Sequence, residues 1–326
     1  MTQAAARSLE TESAAALPEV PGGLKLRAAR FWIQVLVALS HRAPSVARAI
    51  RGPGVWIAWR CSAPMRGATR ANAARILGAG ANERDVARVA RGMVASFYDF
   101  LTDMGRHQGR DAESLRSEIE SAQGVENYFE ARKAGKGAIV VTAHIGSFEV
   151  GAAAMRKTEP HVHVVFQRDP MRLFESLRAE QHRALGLIEA PVEPGRGDDT
   201  WNVWLKLRDA LREDHVVLLQ GDRVMPGQRG RKVPFMGGHV MLPPGPVKLA
   251  MATGAPIIPV CSPRLPDGRV RIVMGEPIWV GEENGEGSHG GPHPAELQLA
   301  KVIEGWVRAY PEQWMMVQRV WCEDGR

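Results

Sequence analysis

The sequence predicts an α/β protein. Beyond Gly135, short apolar runs typical of buried strands alternate with helical patterns, and a wholly helical stretch precedes them. The length agrees: 326 residues suffice for one large domain or two small ones, with a sizeable core.

The elements follow in order. Residues 24–50 and 54–75 read as helices separated by Gly52-Pro53-Gly54, a pair of breakers around a proline. Residues 83–106 form a third helical pattern that starts at the cap Asn82. Gly137 to Thr142 is the first strand-like run, followed by Val162 to Phe166, Val216 to Gln220, Pro256 to Val260 and Val270 to Met274. Helices are expected between them over 149–157, 171–185, 201–213 and 245–253, with a last one over 295–309. Residues 281–294, rich in Gly, Glu and His, read as a loop or insertion. No internal repeat and no clear second domain is visible. The expected organisation is a disordered tail over 1–21, a basic helical segment over 22–75 and one main domain over 76–326.

Charge separates the first segment from the rest. The formal net charge is +6, but between Gly22 and Arg70 there is no Asp or Glu. That stretch carries Lys25, Arg27, Arg30, Arg42, Arg48, Arg51, Arg60, Arg66 and Arg70 around Phe31, Trp32, Trp56 and Trp59. Basic residues beside Trp-rich apolar clusters suit helices lying in an anionic membrane interface. An amphipathic core helix with a solvated basic face is the plainer alternative. The run Phe31 to Leu39 is too short to span a bilayer, which needs ~20 apolar residues. No secretory h-region is visible in the first 20 residues. A nucleic-acid partner is not expected, because the aromatics sit among aliphatics and no nucleic-acid motif is present.

Several chemistries are set aside by their missing motifs. Cys61, Cys261 and Cys322 are far apart and lack C-x-x-C spacing, so neither a disulfide framework nor a zinc site is expected and a reducing compartment fits. There is no G-x-S-x-G elbow and no P-loop. Gly195-Arg-Gly197 lacks the third glycine and preceding strand of a dinucleotide fingerprint. His161 and His163 alternate at a strand entry, where a solvated strand end is the simpler reading than a metal site. What remains is His144, just after a strand, with Glu149 where a helix would begin and Gly146 permitting a sharp turn between them. A histidine needs one ring nitrogen fixed by a partner so that the other can take a proton, and Glu149 is the expected partner. A histidine and an acid five apart are common, however, and by spacing alone a structural histidine is the simpler reading.

Blocks in order along residues 90–322 resemble one family. Ala143-His-Ile-Gly-Ser-Phe-Glu149 is followed by Phe166-Gln-Arg-Asp-Pro170, then Gln220-Gly-Asp-Arg223 and Arg229-Gly-Arg-Lys-Val-Pro-Phe-Met-Gly237. Thr253-Gly-Ala-Pro-Ile-Ile-Pro259 and Pro311-Glu-Gln-Trp-Met-Met-Val-Gln-Arg319 complete the series. Together they resemble the late lipid A acyltransferases, the lauroyl/myristoyl transferases, a family that includes phosphatidylinositol mannoside acyltransferases. Ser147-Phe148 stands where many members have Asn-Trp, Gly221 where many have an acid or His, and Gln318 where lipid A enzymes often have His. These departures bear on the acceptor more than on the reaction.

The resemblance implies a mixed central sheet flanked by helices, of the glycerolipid acyltransferase kind, on the cytoplasmic face of the inner membrane. It implies transfer of a fatty acyl group from an acyl-carrier-protein or CoA thioester to a hydroxyl of a lipid acceptor, with no cofactor and no metal. His144 is then the general base and Glu149 its support. Arg223 serves the oxyanion or an acceptor phosphate, and Asp222 orients Arg223. Arg168 belongs to the substrate-binding set, and Arg229, Arg231 and Lys232 form a basic loop for phosphate or an acidic carrier protein, or simply a solvated turn. Thr253 to Pro259 and most of the Pro-Glu-Gln-Trp segment read as structural. A hydrolase on the same site and a non-catalytic lipid-binding protein are the competing classes.

Overall fold

The computed structural model describes residues 24–167, 175–192, 197–224, 229–281 and 291–322. The chain opens with helices α1 (Leu24–Arg42), α2 (Pro44–Ala49), α3 (Arg51–Cys61), α4 (Ala63–Leu77) and α5 (Glu83–Arg106). Helix α6 (Ala112–Arg116) leads into β1 (Ile119–Gln123). Next come α7 (Val125–Arg132), β2 (Ala138–Gly146), α8 (Phe148–Met155), β3 (Val162–Gln167), α9 (Glu175–Ala184), β4 (Ile188–Val192), α10 (Gly197–Arg212) and β5 (Val216–Gln220). The hairpin β6 (Arg231–Phe235) and β7 (Gly238–Leu242) precedes α11 (Gly245–Thr253), β8 (Ile257–Ser262), β9 (Val270–Met274) and α12 (Pro294–Ala309).

A seven-stranded mixed sheet, ordered β1-β9-β8-β2-β5-β3-β4, organises the core. The pair β8–β9 is antiparallel, whereas β2 runs parallel to both its neighbours, β5 and β8. β2 is the central strand, and Ala138 to Ala143 are all buried. Successive side chains of a strand point to opposite faces. Ile139 and Val141 therefore pack with Leu249 of α11 and Ile303 of α12, while Ala138 and Val140 pack with Tyr128 of α7 and Val150 of α8. Both faces of the sheet are covered by helices, as the α/β reading requires.

The buried strands and helix α5 lie where the sequence puts them; the helical N-terminus and the sheet edges differ. The helix expected over 24–50 is interrupted at Ala43, because Pro44 cannot donate into α1 but can open α2. Gly52-Pro53-Gly54, expected as a break, lies within the first turn of α3, where no intrahelical N–H is needed from proline. The stretch 54–75 is divided at Ser62, whose Oγ accepts from Met65 N as α4 begins. Edge strands β1 and β4 are half exposed and mix polar with apolar residues, so no apolar run marks them. The β6–β7 turn places Met236 and Gly237 at φ 47° and 72°, as a two-residue hairpin demands. The expected tail over 1–21, Arg168, residues 171–174 of an expected helix and residues 282–290 of the expected loop lie outside the described residues.

Helix α5 anchors the N-terminal helices. Its hydrogen bonds reach across elements: Tyr98 donates to Ala47 O at 2.9 Å, and Arg51 of α3 pairs with Asp99 at 2.6 Å. α1 crosses α5 so closely at Gly105 that an added Cβ would meet Val37 O at 2.1 Å. No helix among the described residues is long and apolar enough to cross a membrane. Gly105→Ala is expected to destabilise the protein by about 1–3 kcal/mol through forced separation of α1 from α5. Thermal unfolding reads this as a lowered midpoint, and an unchanged midpoint would contradict the close crossing.

Candidate active site

β2 and β5 are neighbours in register, with Thr142 opposite Gln220. Two residues further along each strand direction stand His144 and Asp222, at the carboxyl edge where open α/β sheets bind ligands. The turn after His144 depends on Gly146, at φ 65°, where a Cβ would meet Ser262 O at 2.0 Å. Ser147 N then donates to Ser262 O at 2.9 Å, and α8 starts at Phe148.

Asp222 Oδ1 accepts from His144 Nδ1 at 2.7 Å. Its Oδ2 accepts from the His144 backbone N–H at 2.8 Å and from Trp314 Nε1 at 2.9 Å. The Asp222 side chain is fully buried, and that of His144 is 14% exposed. A carboxylate only accepts, so the proton of the neutral imidazole sits on Nδ1 and Nε2 keeps its lone pair. Burial pulls the His144 pKa down; Asp222 pulls it up and Arg223 down again, leaving it below the ordinary 6.5. Burial opposes ionisation of Asp222, but His144 and Trp314 overcome it and hold the carboxyl below its ordinary range. The pair is therefore a neutral imidazole backed by a carboxylate, poised to accept a proton on Nε2.

His144 lines a cavity of about 1290 Å³, beyond the ~300–1,000 Å³ usual for small-ligand pockets. Phe97, Phe100, Met104, Phe148, Leu187 and Trp204 make much of its wall apolar. Glu149, Arg178, Arg208, Arg223, Arg229 and Lys248 are its charged lining. Nε of Arg223 is buried with no hydrogen-bond partner among the described residues. Such a group is costly to bury unless an anion meets it.

The structure brings His144, Glu149, Arg223 and Arg229 to the lining of one cavity, with Asp222 buried behind His144, but in different relations from those expected. The carboxylate on His144 is Asp222 rather than Glu149, because parallel pairing of β2 with β5 sets Asp222 directly behind the imidazole. Asp222 is therefore spent on His144 and Trp314 rather than on orienting Arg223. Glu149 lies in the first turn of α8, with Oε2 3.5 Å from His107 Nδ1. Arg231 lies in β6, 3.5 Å from Glu296, and Lys232 is exposed on the same hairpin. Trp314, read as structural from the sequence, donates directly to the buried carboxylate; its Pro-Glu-Gln-Trp block was the available signal. His107 gave none.

The family model described as bacterial lipid A biosynthesis acyltransferase matches residues 23–323. The chain is also similar to the phosphatidylinositol mannoside acyltransferase of Mycolicibacterium smegmatis, at 25% identity over 282 residues, covering 86% of each chain.

The His144–Asp222 pair has a direct spectroscopic reading. Histidine NMR is expected to find the His144 midpoint below 6.5. Asp222→Asn removes a charge that raises it, so the midpoint should fall further. A midpoint that does not move in Asp222→Asn would contradict the pairing.

Proposed function

The chain belongs to the bacterial lipid A biosynthesis acyltransferase family and is an enzyme that transfers acyl groups; from that premise we propose that it moves a fatty acyl chain from a thioester donor to a hydroxyl of a membrane glycolipid. The observation that carries the proposal is that His144 lines a large, mainly apolar cavity while its Nδ1 is held by a buried carboxylate. The activity named for the M. smegmatis relative supports a glycolipid acceptor. The donor is an acyl-carrier-protein or CoA thioester, with Arg229, Arg231 and Lys232 offering the basic surface that either would require.

The chemistry runs in one direct displacement. Nε2 of His144 takes the proton of the acceptor hydroxyl as its oxygen attacks the thioester carbonyl. Asp222 stabilises the imidazolium that forms. The carbonyl electrons move onto oxygen, and Arg223, with its unsatisfied buried Nε, stabilises the oxyanion. The C–S bond then breaks, and the departing thiolate recovers the proton from His144. Glu149 orients the hydroxyl-bearing head group from the same cavity wall. No acyl-enzyme is needed.

The N-terminal helices supply the membrane contact in this reading. Phe31, Trp32, Trp56 and Ile57 are exposed by 53% or more, and Arg27, Arg30, Arg42, Arg48 and Arg60 are exposed beside them in sequence, with no acid among them. Exposed apolar and cationic residues of this kind suit the cytoplasmic leaflet of the inner membrane, where each basic residue near anionic lipid contributes ~1 kcal/mol.

His144→Ala is expected to lower acyl transfer by ~10²–10⁴-fold with the fold retained. Because only neutral His144 accepts a proton, transfer should fall as pH drops, with its acid midpoint below 6.5. Undiminished transfer in His144→Ala would sink the mechanism, and free fatty acid as the main product of a radiolabelled donor would make the protein a thioesterase. Trp32→Ala combined with Trp56→Ala should weaken cosedimentation with anionic vesicles. Equal binding of the parent protein to neutral and anionic vesicles would remove the electrostatic part of the membrane reading.

A further inference from the structure

A second histidine lies behind the cavity wall, outside the reacting pair. His107 caps the C-terminus of α5 and its side chain is fully buried. Its Nδ1 lies 3.5 Å from Glu149 Oε2 and its Nε2 lies 3.5 Å from Glu118 Oε2. The imidazole thus joins two carboxylates, one of which faces the cavity that holds His144.

The neighbouring charges decide what state this arrangement needs. Arg106 binds Glu118 at 2.6 Å and Asp103 at 2.8 Å, Arg110 binds Glu118, and Arg264 binds Asp103. The arginines are therefore committed to Asp103 and Glu118. Glu149 has His107 as its ion-pair partner, and its other surroundings include the aromatic cavity wall of Phe100 and Phe148. An ionised carboxylate on such a wall needs a cation beside it. The C-terminus of α5 adds a negative field that favours positive charge on its cap.

We infer that His107 is a positioning residue for acyl transfer: as an imidazolium bridging Glu118 and Glu149, it fixes the Glu149 carboxylate in the cavity beside His144. This rests on the reading above that Glu149 orients the acceptor. Burial works against the charge on His107, yet Glu118, Glu149 and Asp103 together raise its pKa above the ordinary value. The two buried histidines are thus shifted in opposite directions, His144 toward the neutral form and His107 toward the charged one. At 3.5 Å neither nitrogen of His107 makes a close hydrogen bond, so the attachment is by charge. Loss of that charge should therefore matter more than loss of shape.

The test uses His107→Gln, which keeps polar atoms but cannot carry charge, Glu149→Gln and the double variant, with thermal unfolding checked for each. Each single variant should lose ~10-fold in kcat with KM for the thioester donor little changed. In the Glu149→Gln background, His107→Gln should cost no further activity, because it acts through Glu149. Full additivity of the two losses, or wild-type kcat in His107→Gln, would overturn the inference. Histidine NMR on the full chain gives a reading independent of activity and of whether His107→Gln folds. His107 should be an imidazolium at pH 7, and its midpoint should fall by ~1 unit in Glu149→Gln. A neutral His107 at pH 7, or a midpoint unmoved in Glu149→Gln, refutes the clamp itself. Wild-type transfer in Glu149→Gln alongside the expected shift in midpoint instead removes the role of Glu149, and with it the catalytic consequence of the clamp.

Discussion

The buried charge of Asp222 is the constraint around which the site is built. A carboxylate removed from water costs several kcal/mol unless its oxygens are met by donors in good geometry. Asp222 is met by three: the ring and backbone nitrogens of His144 and the indole of Trp314. These donors come from the end of the central strand and from a segment far along the chain. Each donor must be in place for the charge to be tolerable, so satisfying Asp222 also aims His144. Structural stability and the orientation of His144 share one set of hydrogen bonds.

The segment after α12 extends this logic through the molecule. Glu312 pairs with Arg88 and its carbonyl accepts from Ser96 of α5; Gln313 exchanges hydrogen bonds with Arg264. Met315 N donates to His144 O at 2.9 Å, and Asn72 of α4 donates to Met316 O and Gln318 O. Trp314 also packs against Phe235 and Trp321, which belong to the hairpin side of the core. One irregular strap thus ties the N-terminal helices, the sheet and the hairpin to the reacting pair. Beyond the 3-10 turn Pro311–Gln313, its irregular course follows from its work: many of its polar groups are spent on other elements.

What was legible in the sequence tracks the range of the interactions. The strands Val216–Gln220 and Val270–Met274 and the helix Glu83–Arg106 were legible because burial and capping write themselves locally, as continuous apolar runs or as Asn82 before an amphipathic pattern. His144 was legible as a candidate because Gly146 and the strand before it are neighbours in the chain. Its partner was not, because the choice between Glu149 and Asp222 depends on which strand lies beside β2, and strand order is a long-range property. The same holds for His107, whose two carboxylates come from β1's approach and from α8. The edge strands escaped notice for a different reason: one half-exposed face leaves too few apolar residues to form a run.

Because Trp314 lies so late in the chain, the site has a direction in time. During synthesis β2 and its neighbour β5 can emerge and begin to pair while the indole that completes Asp222 has yet to be made. Until the strap is threaded across the finished sheet, the carboxylate lacks its third donor and the imidazole lacks its fixed seat. The indole of Trp314 can reach Asp222 only once the N-terminal helices and the sheet that precede it in the chain have been made.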